Sequence, residues 1–580
     1  MKTLLLFFFA SFLLVAFIQK NNNITVSLTE RNKAIARTAR YAIRCSPLLS
    51  SINFEDSAAI PLLEGWGPYR MPVTVSNDSA KIYFEQGINM YYGFHVIEAL
   101  ASFEKAVKLD TAFAMGYWGK ALSYGPNIND YGYSASPDAL TAVAKAVAHS
   151  ANNTPVEKAL IAAMQVRYSA DSTRSRTALN QLYADAMKKV SMDFNQSVDA
   201  AALYVDALMV QHPWDLYYKN YQPKAWTAEI VNTLEKILQQ HPRHPGAAHY
   251  YIHAVEASAH PEKGLTVSNI LPGLMPGVAH LVHMPSHIYI RSGYYDIGEK
   301  VNDDAVKGYY NYLSKFPAVV NNSPLYLIHN LHMQATCANM DGRYKQSMKV
   351  AIDCSHSFDS TMQDVSEYFG GFVQYVYMTP LLTQIRFGKW DDLLKTEQPP
   401  AVHIYANLLW HYGAGLAYAR KHDFENAAKE LVIINKEMDS SVQLKSPAPS
   451  YANPAIAGAE VAAKILEGTI AEEKGDYNKS IGILQHAVIM EDSMVYNEPK
   501  DWVHPVRQYL GNVLCKAKKY DAAEKVYKED LVINPNNGWS LTGLTTALSA
   551  QGKKEEAAKA KEQAAKAFAK ADGPITHSVF

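Results

Sequence analysis

Apolar side chains recur every three or four residues from about residue 80 to residue 571, and short polar breaks interrupt them at regular intervals. The stretch from Ala99 through Phe103 to Ala106 is representative, and it ends at the polar Asp110. A spacing of three and four places apolar side chains on one face of a helix, whereas a half-buried strand shows strict alternation, which is nearly absent here. The pattern therefore predicts an all-α chain built from helix, short turn and helix.

The polar breaks divide this region into similar units. One early unit carries Gly87, Ala99 and Phe103, and a late unit carries Gly511, Ala523 and Tyr527 at the same offsets. A small residue in the first helix lets the second helix approach closely, with an alanine opposite it. This spacing resembles that of the 34-residue tetratricopeptide repeat (TPR).

The repeat resemblance implies a specific architecture. Each helical hairpin exposes an apolar face that only the next hairpin can cover, so the units stack into an α-solenoid superhelix with a concave groove. We expect about 11–12 units over residues 80–571, with insertions at residues 212–226 and 307–323. Residues 572–580 follow as a C-terminal tail.

The N-terminal 19 residues are almost entirely apolar after Met1 and Lys2. A short positive segment followed by an apolar run is typical of an export signal, and this run is near the lower end of the roughly 17–25 residues that span a bilayer. Residues 1–19 are therefore expected to be a cleaved signal peptide or a retained membrane anchor, and residues 20–79 a polar and basic lead-in. The protein is expected in the periplasm, outside the cell or attached to the membrane through this anchor.

The charge balance is close to neutral, with 55 Lys and Arg against 56 Asp and Glu and a net charge of −1. This balance argues against a protein that coats nucleic acid by bulk charge. The four cysteines are Cys45, Cys337, Cys354 and Cys515, and no CxxC motif is present. They are too few for a disulfide scaffold, and a disulfide between Cys337 and Cys354 is left open. A metal site in this chain therefore needs histidine and carboxylate ligands.

Histidines are concentrated in one part of the chain. Residues 241–287 hold eight of the 20 histidines, where an even distribution would place fewer than two. Spacing selects a subset, because three successive first helices each carry these residues along a single face. The candidate metal ligands are His249, His253, Glu256, His280, His283, His287, His329 and His332. In TPR proteins these positions face the concave surface, so the resemblance implies a histidine-rich groove over residues 245–332.

Imidazoles one helical turn apart can bind a transition-metal ion at about 2.0–2.1 Å, and a neighbouring helix can complete the coordination shell. The eight candidates would suffice for two ions. Imidazole with one carboxylate favours Zn, Cu, Fe or Ni over Ca or Mg, and the sequence does not distinguish among those four. Any one histidine taken alone is better explained as a hydrogen-bonded residue of a polar groove. The set also fits a pH-sensitive groove or a surface that binds an anion or a peptide.

Two further features lie near these histidines. The insertion at residues 212–226 contains Trp214, Tyr217 and Tyr221, and it would serve either as a lid or ligand platform or, more commonly, as packing. Arg291 lies one turn beyond His287, where it would contact a carboxylate or phosphate or lie on the surface.

Motifs of the common enzyme classes are missing from the sequence, including HExxH, GxSxG, the Walker A loop and the Rossmann glycine fingerprint. Three segments resemble a largely uncharacterised family of exported bacterial TPR proteins. These segments are HPGAAHYYIHAVEAS at 244–258, LMPGVAHLVHMPSHIYIRSGYYD at 274–296 and NPNNGWSLTGL at 534–544. The resemblance implies a fold and a compartment, and it brings no established activity or catalytic residue.

Three functions remain open from the sequence. The first is an exported scaffold whose groove carries a transition-metal site and binds a small molecule, a peptide or a protein. The second is a metalloenzyme that uses the same site for hydrolytic or oxidative chemistry, with Glu256 as ligand or general base. The third is a structural or self-assembling interaction protein without metal. Nucleic acid is not an expected partner, and a membrane is expected only through an uncleaved N-terminal anchor.

Overall fold

The computed structural model describes residues 61–129, 134, 136–315, 324–357 and 368–580. The predicted signal or anchor at residues 1–19, and residues 20–60 of the lead-in, lie outside this part of the chain. The described residues are all-α: they contain no β-strand, and an isolated bridge joins Tyr217 to Pro223. None of their helices is long and apolar enough to cross a membrane.

The helices follow one another with short connections. In the first half they are α1 Asp78–Tyr92, α2 Val96–Leu109, α3 Ala114–Ser123, α4 Ser136–His149, α5 Pro155–Arg167, α6 Arg176–Asp193, α7 Val198–Gln211, α8 Thr227–Gln240, α9 Pro245–Val255, α10 Leu265–Leu274, α11 Ala279–His283, α12 Pro285–Ser292 and α13 Tyr295–Lys315. In the second half they are α14 Pro324–Met340, α15 Tyr344–His356, α16 Tyr368–Tyr377, α17 Thr379–Arg386, α18 Trp390–Leu393, α19 Ile404–Arg420, α20 Phe424–Ser440, α21 Ala455–Glu473, α22 Tyr477–Asp492, α23 Val506–Lys516, α24 Tyr520–Ile533, α25 Gly538–Ala550 and α26 Lys554–Ala567. Short 3₁₀ helices cover Ser150–Asn152 and Pro261–Gly264.

Consecutive helices pack as hairpins, and each hairpin packs on the next. Gly87 of α1 lies directly against Phe103 of α2, because a Cβ at this glycine would be 2.6 Å from the ring. Gly511 of α23 meets Tyr527 of α24 in the same way, at 2.5 Å. These glycines allow the close helix approach that their repeat offsets predict. The fold is therefore an α-solenoid of TPR-like hairpins, as the sequence predicted.

The solenoid curls back so that its C-terminal hairpins contact its middle ones. Tyr295 Oη donates a hydrogen bond to the Pro535 carbonyl oxygen at 3.0 Å. Trp539 Nε1 donates to the Asn339 carbonyl oxygen at 3.0 Å, and the Arg386 guanidinium carbon lies 4.1 Å from the centroid of the Trp539 ring. Contacts between residues so distant in sequence close the superhelix around an interior space.

The C-terminal tail, residues 572–580, takes part in this closure. The hydroxyl oxygens of Ser578 and Tyr527 are 2.7 Å apart, within hydrogen-bond distance. The Phe580 ring centroid lies 5.9 Å from that of Trp539, at a nearly perpendicular angle. The tail thus packs on the same aromatic residues that join the two ends of the superhelix.

Three local features refine the sequence prediction. Within the predicted insertion at residues 307–323, α13 continues as a helix to Lys315, and residues 316–323 lie outside the described residues. Pro285 separates α11 from α12, since it is the first residue of α12, where its missing N–H is tolerated. Cys337 and Cys354 are buried free thiols, so the disulfide left open by the sequence is not formed.

Candidate metal centre

The interior of the superhelix contains a cavity of about 730 Å³, and most of the predicted histidines lie on its wall. Helices α9, α11, α12 and α14 supply these histidines. The rest of the wall includes two long connections, residues 212–226 between α7 and α8 and residues 493–505 between α22 and α23. Because these connections are far apart in sequence, the cavity exists only once the superhelix has closed.

The first histidine group joins His249 and His253 of α9 to His280 of α11, with candidate ligand atoms within 4.8 Å of one another. His249 Nδ1 lies 2.6 Å from the Tyr92 carbonyl oxygen, which can only accept a hydrogen bond. The hydrogen is therefore on Nδ1, and Nε2 presents its lone pair to the group. His280 Nε2 lies 3.1 Å from this atom. His253 Nδ1 is engaged in the same way, 3.0 Å from Glu256 Oε1.

The second histidine group joins His283 and His287 to His329 of α14. His283 Nδ1 lies 2.5 Å from Asn302 Oδ1, and the Asn302 amide is oriented because its Nδ2 donates to the Gly298 carbonyl oxygen at 2.8 Å. His283 and His287 face each other through Nε2 at 2.7 Å, and the His329 ring centroid is 4.7 Å from that of His283.

Two carboxylates lie on the other side of His287. Glu256 joins the two histidine groups, because its Oε1 contacts His253 while its Oε2 lies 3.0 Å from His287 Nδ1. Glu498, from the 493–505 connection, forms an ion pair with the same His287 nitrogen. The hydrogen of His287 Nδ1 therefore faces the carboxylates. Between the Nε2 atoms of His283 and His287, two lone pairs would meet unless a proton or a metal ion lies there.

Burial determines the charge of most of these imidazoles. It lowers the pKa far below the ordinary 6.5 for His249, His280, His283 and His329. These four are therefore neutral at pH 7 and able to bind a metal. Burial also acts against a charge on His287, but Glu498 and Glu256 outweigh it and raise its pKa to about 10. Burial and the neighbouring Glu256 raise the pKa of Glu498.

Aromatic rings hold the first group from two sides. The Phe94 ring centroid lies 4.4 Å from that of His249, and Trp214 meets His253 perpendicularly at 5.1 Å. Both aromatic residues have a left-handed backbone, with φ of 57° and 58°. Phe94 lies in the turn between α1 and α2, where other hairpins also have a left-handed residue, such as His422 and Lys518. Trp214 thus places the 212–226 insertion directly on the cluster.

Arg291 is buried and joins the two connections that line the cavity. Its guanidinium carbon lies 5.2 Å from the ring centroid of Tyr221 and 5.3 Å from that of Tyr496. Its Nη2 donates to the Ser258 carbonyl oxygen at 2.9 Å. The alternative of a surface arginine is therefore wrong.

The structure brings together seven of the eight residues predicted as ligands, in three groups of possible ligands, two of which share His287. His332 lines the cavity but belongs to none of these groups. Glu498 completes the third group with Glu256 and His287, and it was missed because it lies in a connection without helical periodicity. Its position next to Pro499 in a polar stretch gave no indication that it could be a metal ligand.

No protein-family model and no curated protein sequence matches the chain. Solved structures similar to it include human IFIT1 as a dimer with m7Gppp-AAAA, at 13% identity and a TM-score of 0.29, covering 92% of this chain and 100% of that one. The P58(IPK) TPR domain has 12% identity, a TM-score of 0.22 and coverages of 82% and 99%. Yeast Tom70 has 10% identity, a TM-score of 0.26 and coverages of 84% and 92%.

Proposed function

We propose that this protein is a TPR-like scaffold that holds a transition-metal centre in its interior and binds a small molecule over it. The observation that carries the proposal is the pairing of His283 and His287. Their Nε2 atoms are 2.7 Å apart while their Nδ1 atoms both face oxygen acceptors. This arrangement requires a proton or a metal ion between the two Nε2 atoms.

A proton on His287 is one such cation, and a metal ion is the other. The metal is favoured because each group contains two imidazoles with an oxygen acceptor on Nδ1, which is the usual support for a metal-bound imidazole and leaves Nε2 as the free ligand atom. These are His249 and His253 in the first group and His283 and His287 in the second. Ligand atoms bound at 2.0–2.1 Å around a tetrahedral ion lie about 3.4 Å apart, so small side-chain rotations are sufficient for either group.

The size of the cavity favours a small molecule over a folded partner. About 730 Å³ lies within the range of roughly 300–1,000 Å³ typical of small-molecule sites. Tyr217, Tyr368 and Trp502 line the wall and provide apolar faces with polar tips. Export is proposed on the N-terminal apolar sequence alone.

Metal-assisted hydrolysis or oxidation is the second candidate function. It is favoured by the first group, in which three imidazoles leave a fourth coordination position and two of the three, His253 and His280, line the cavity. Three-histidine sites of this type bind a water and lower its pKa. In such a reaction Glu256 is hydrogen-bonded to His253 and serves to orient it.

Elemental analysis of protein purified without an affinity tag tests the metal. We expect one or two equivalents of a transition metal in the wild type and none in His253→Ala/His283→Ala, which removes one imidazole from each group. The matched control is His241→Ala/His260→Ala, because both residues are exposed and come from the same histidine-rich stretch. The control should keep its metal, and circular dichroism should give the same helix content in all three proteins. Metal content that is unchanged in the first variant would refute the site, as would wild-type protein that cannot be loaded.

A further inference from the structure

Lys500 is a cation on the cavity wall that the proposed metal centre does not use. It belongs to the 493–505 connection, and it lines the cavity together with Asn534, which follows α24. Its Nζ donates a hydrogen bond to Asn534 Oδ1 at 3.0 Å. The orientation of this amide is fixed, because Asn534 Nδ2 donates to Asp530 Oδ1 at 2.8 Å. A neutral partner therefore holds the ammonium group in place at the wall, and the group has two further N–H donors.

Two other cations of the cavity wall have a carboxylate partner, and Lys500 does not. Lys224 forms an ion pair with Asp215, and Arg507 donates to both oxygens of Asp492 at 2.7 and 2.8 Å. Lys500 forms no ion pair with a carboxylate of the described residues, since its printed partner is an amide. A charge that is largely shielded from water is normally paired. This cation therefore indicates an anionic partner that the chain itself does not supply.

The carboxylates that act on Lys500 from beyond ion-pair distance are Glu491 and Asp530, and other groups already hold them. Glu491 accepts a hydrogen bond from the Val506 backbone N–H at 3.0 Å. Asp530 Oδ2 accepts hydrogen bonds from the side chains of Gln508, Asn537 and Ser540. Burial lowers the pKa of Lys500 to about 8, which leaves its nitrogen positively charged at pH 7.

We propose that Lys500 binds the carboxylate of a small organic acid whose apolar part packs on the aromatic wall of the same cavity. This inference rests on the small-molecule part of the proposed function and not on the metal. A carboxylate accepts hydrogen bonds from an ammonium group and neutralises its charge. A single negative charge is favoured over a doubly charged phosphate, because Glu491 and Asp530 repel the second charge. The apolar surface is supplied by Tyr368, Phe372 and Trp502.

Isothermal titration calorimetry with benzoate, benzamide and phenyl phosphate tests this assignment, because the three probes share a ring and carry one, no and two negative charges. We expect the wild type to bind benzoate more tightly than the other two. Lys500→Met and Lys500→Gln remove the charge and should raise the benzoate dissociation constant about 10- to 100-fold, the effect of one lost charged hydrogen bond. If one variant fails to fold, the other still reports. Their benzamide affinity should equal that of the wild type, and Lys500→Arg should recover part of the benzoate affinity.

The matched control is Lys219→Met. Lys219 also lines the cavity, but it is exposed and its Nζ donates to the Ser493 carbonyl oxygen. Its benzoate affinity should equal that of the wild type. Unchanged benzoate affinity in the Lys500 variants, equal losses for benzoate and benzamide, or tighter binding of phenyl phosphate than of benzoate would each overturn the inference. Wild-type protein that binds none of the probes would refute the small-molecule part of the proposed function and this inference with it. Protein without metal would refute the metal centre alone.

Discussion

Replacement of Glu256 by glutamine tests whether a buried carboxylate supports both histidine groups. Glu256 is 1% exposed, and its two oxygens lie 3.0 Å from His253 Nδ1 and 3.0 Å from His287 Nδ1. Glutamine has the same shape, but only one of its two terminal atoms accepts a hydrogen bond. One imidazole therefore loses its acceptor and faces an NH₂ group, and both imidazoles lose the negative charge that makes them better metal ligands.

Two separate arguments give the size of the effect. A hydrogen bond to a charged group contributes about 1.5–3 kcal/mol. Loss of an outer-shell partner of a metal-bound histidine typically lowers metal affinity by about 10–100-fold, which corresponds to about 1.4–2.8 kcal/mol. Because the two ranges coincide, we expect Glu256→Gln to weaken zinc or cobalt binding by about 10–100-fold while leaving the number of bound ions unchanged.

Competition titration against a chromophoric chelator measures this affinity. The matched control is Glu157→Gln, because Glu157 is equally buried and accepts hydrogen bonds from Thr74 N at 2.6 Å and Thr154 N at 2.7 Å, away from the cavity. The control should lower thermal stability and leave metal affinity as it is. A Glu256→Gln affinity within twofold of wild type would show that the carboxylate does not support the ligands. Complete loss of bound metal would show that Glu256 binds the ion directly.

Two further predictions concern the metal-free protein. Glu498 and Glu256 raise the pKa of His287 to about 10 against the effect of burial. The ion pairs that His287 forms with them therefore stabilise the fold fully below about pH 6.5, and this stabilisation is lost as the pH rises through about 10. The thermal unfolding midpoint should therefore fall more steeply between about pH 6.5 and 10 in the wild type than in His287→Asn. The same pH dependence in both proteins would contradict the ion pairs of His287. Gly293→Ala should destabilise more than Gly475→Ala in urea unfolding. Both glycines have a left-handed backbone, which costs about 1–2 kcal/mol for alanine. Only at Gly293 would the new Cβ also collide, since it would lie 2.2 Å from the Pro535 carbonyl oxygen. An equal loss of unfolding free energy in the two variants would refute this contact.

The sequence alone determined the repeat fold, because the information lies in local spacing. Gly87 and Phe103 are 16 residues apart, as are Gly511 and Tyr527, and each pair meets within one hairpin. Helical periodicity likewise placed His249 and His253 on one face, since residues four apart are neighbours on any helix. The alignment of successive first helices brought His280 next to them, as the repeat register implied.

Tertiary structure alone decided which residues complete the site and what each one does. Glu498 and Trp214 reach the cluster from connections without periodicity, and their positions depend on how tightly the superhelix curls, which no local pattern specifies. His332 belongs to none of the histidine groups, although it lies one turn from His329 on the same helix. In the metal-free protein burial lowers the pKa of His283, whereas the two buried carboxylates that face His287 outweigh burial and raise the pKa of that residue. Protonation depends on burial and on charges within a few ångströms, and these exist only when distant parts of the chain have come together.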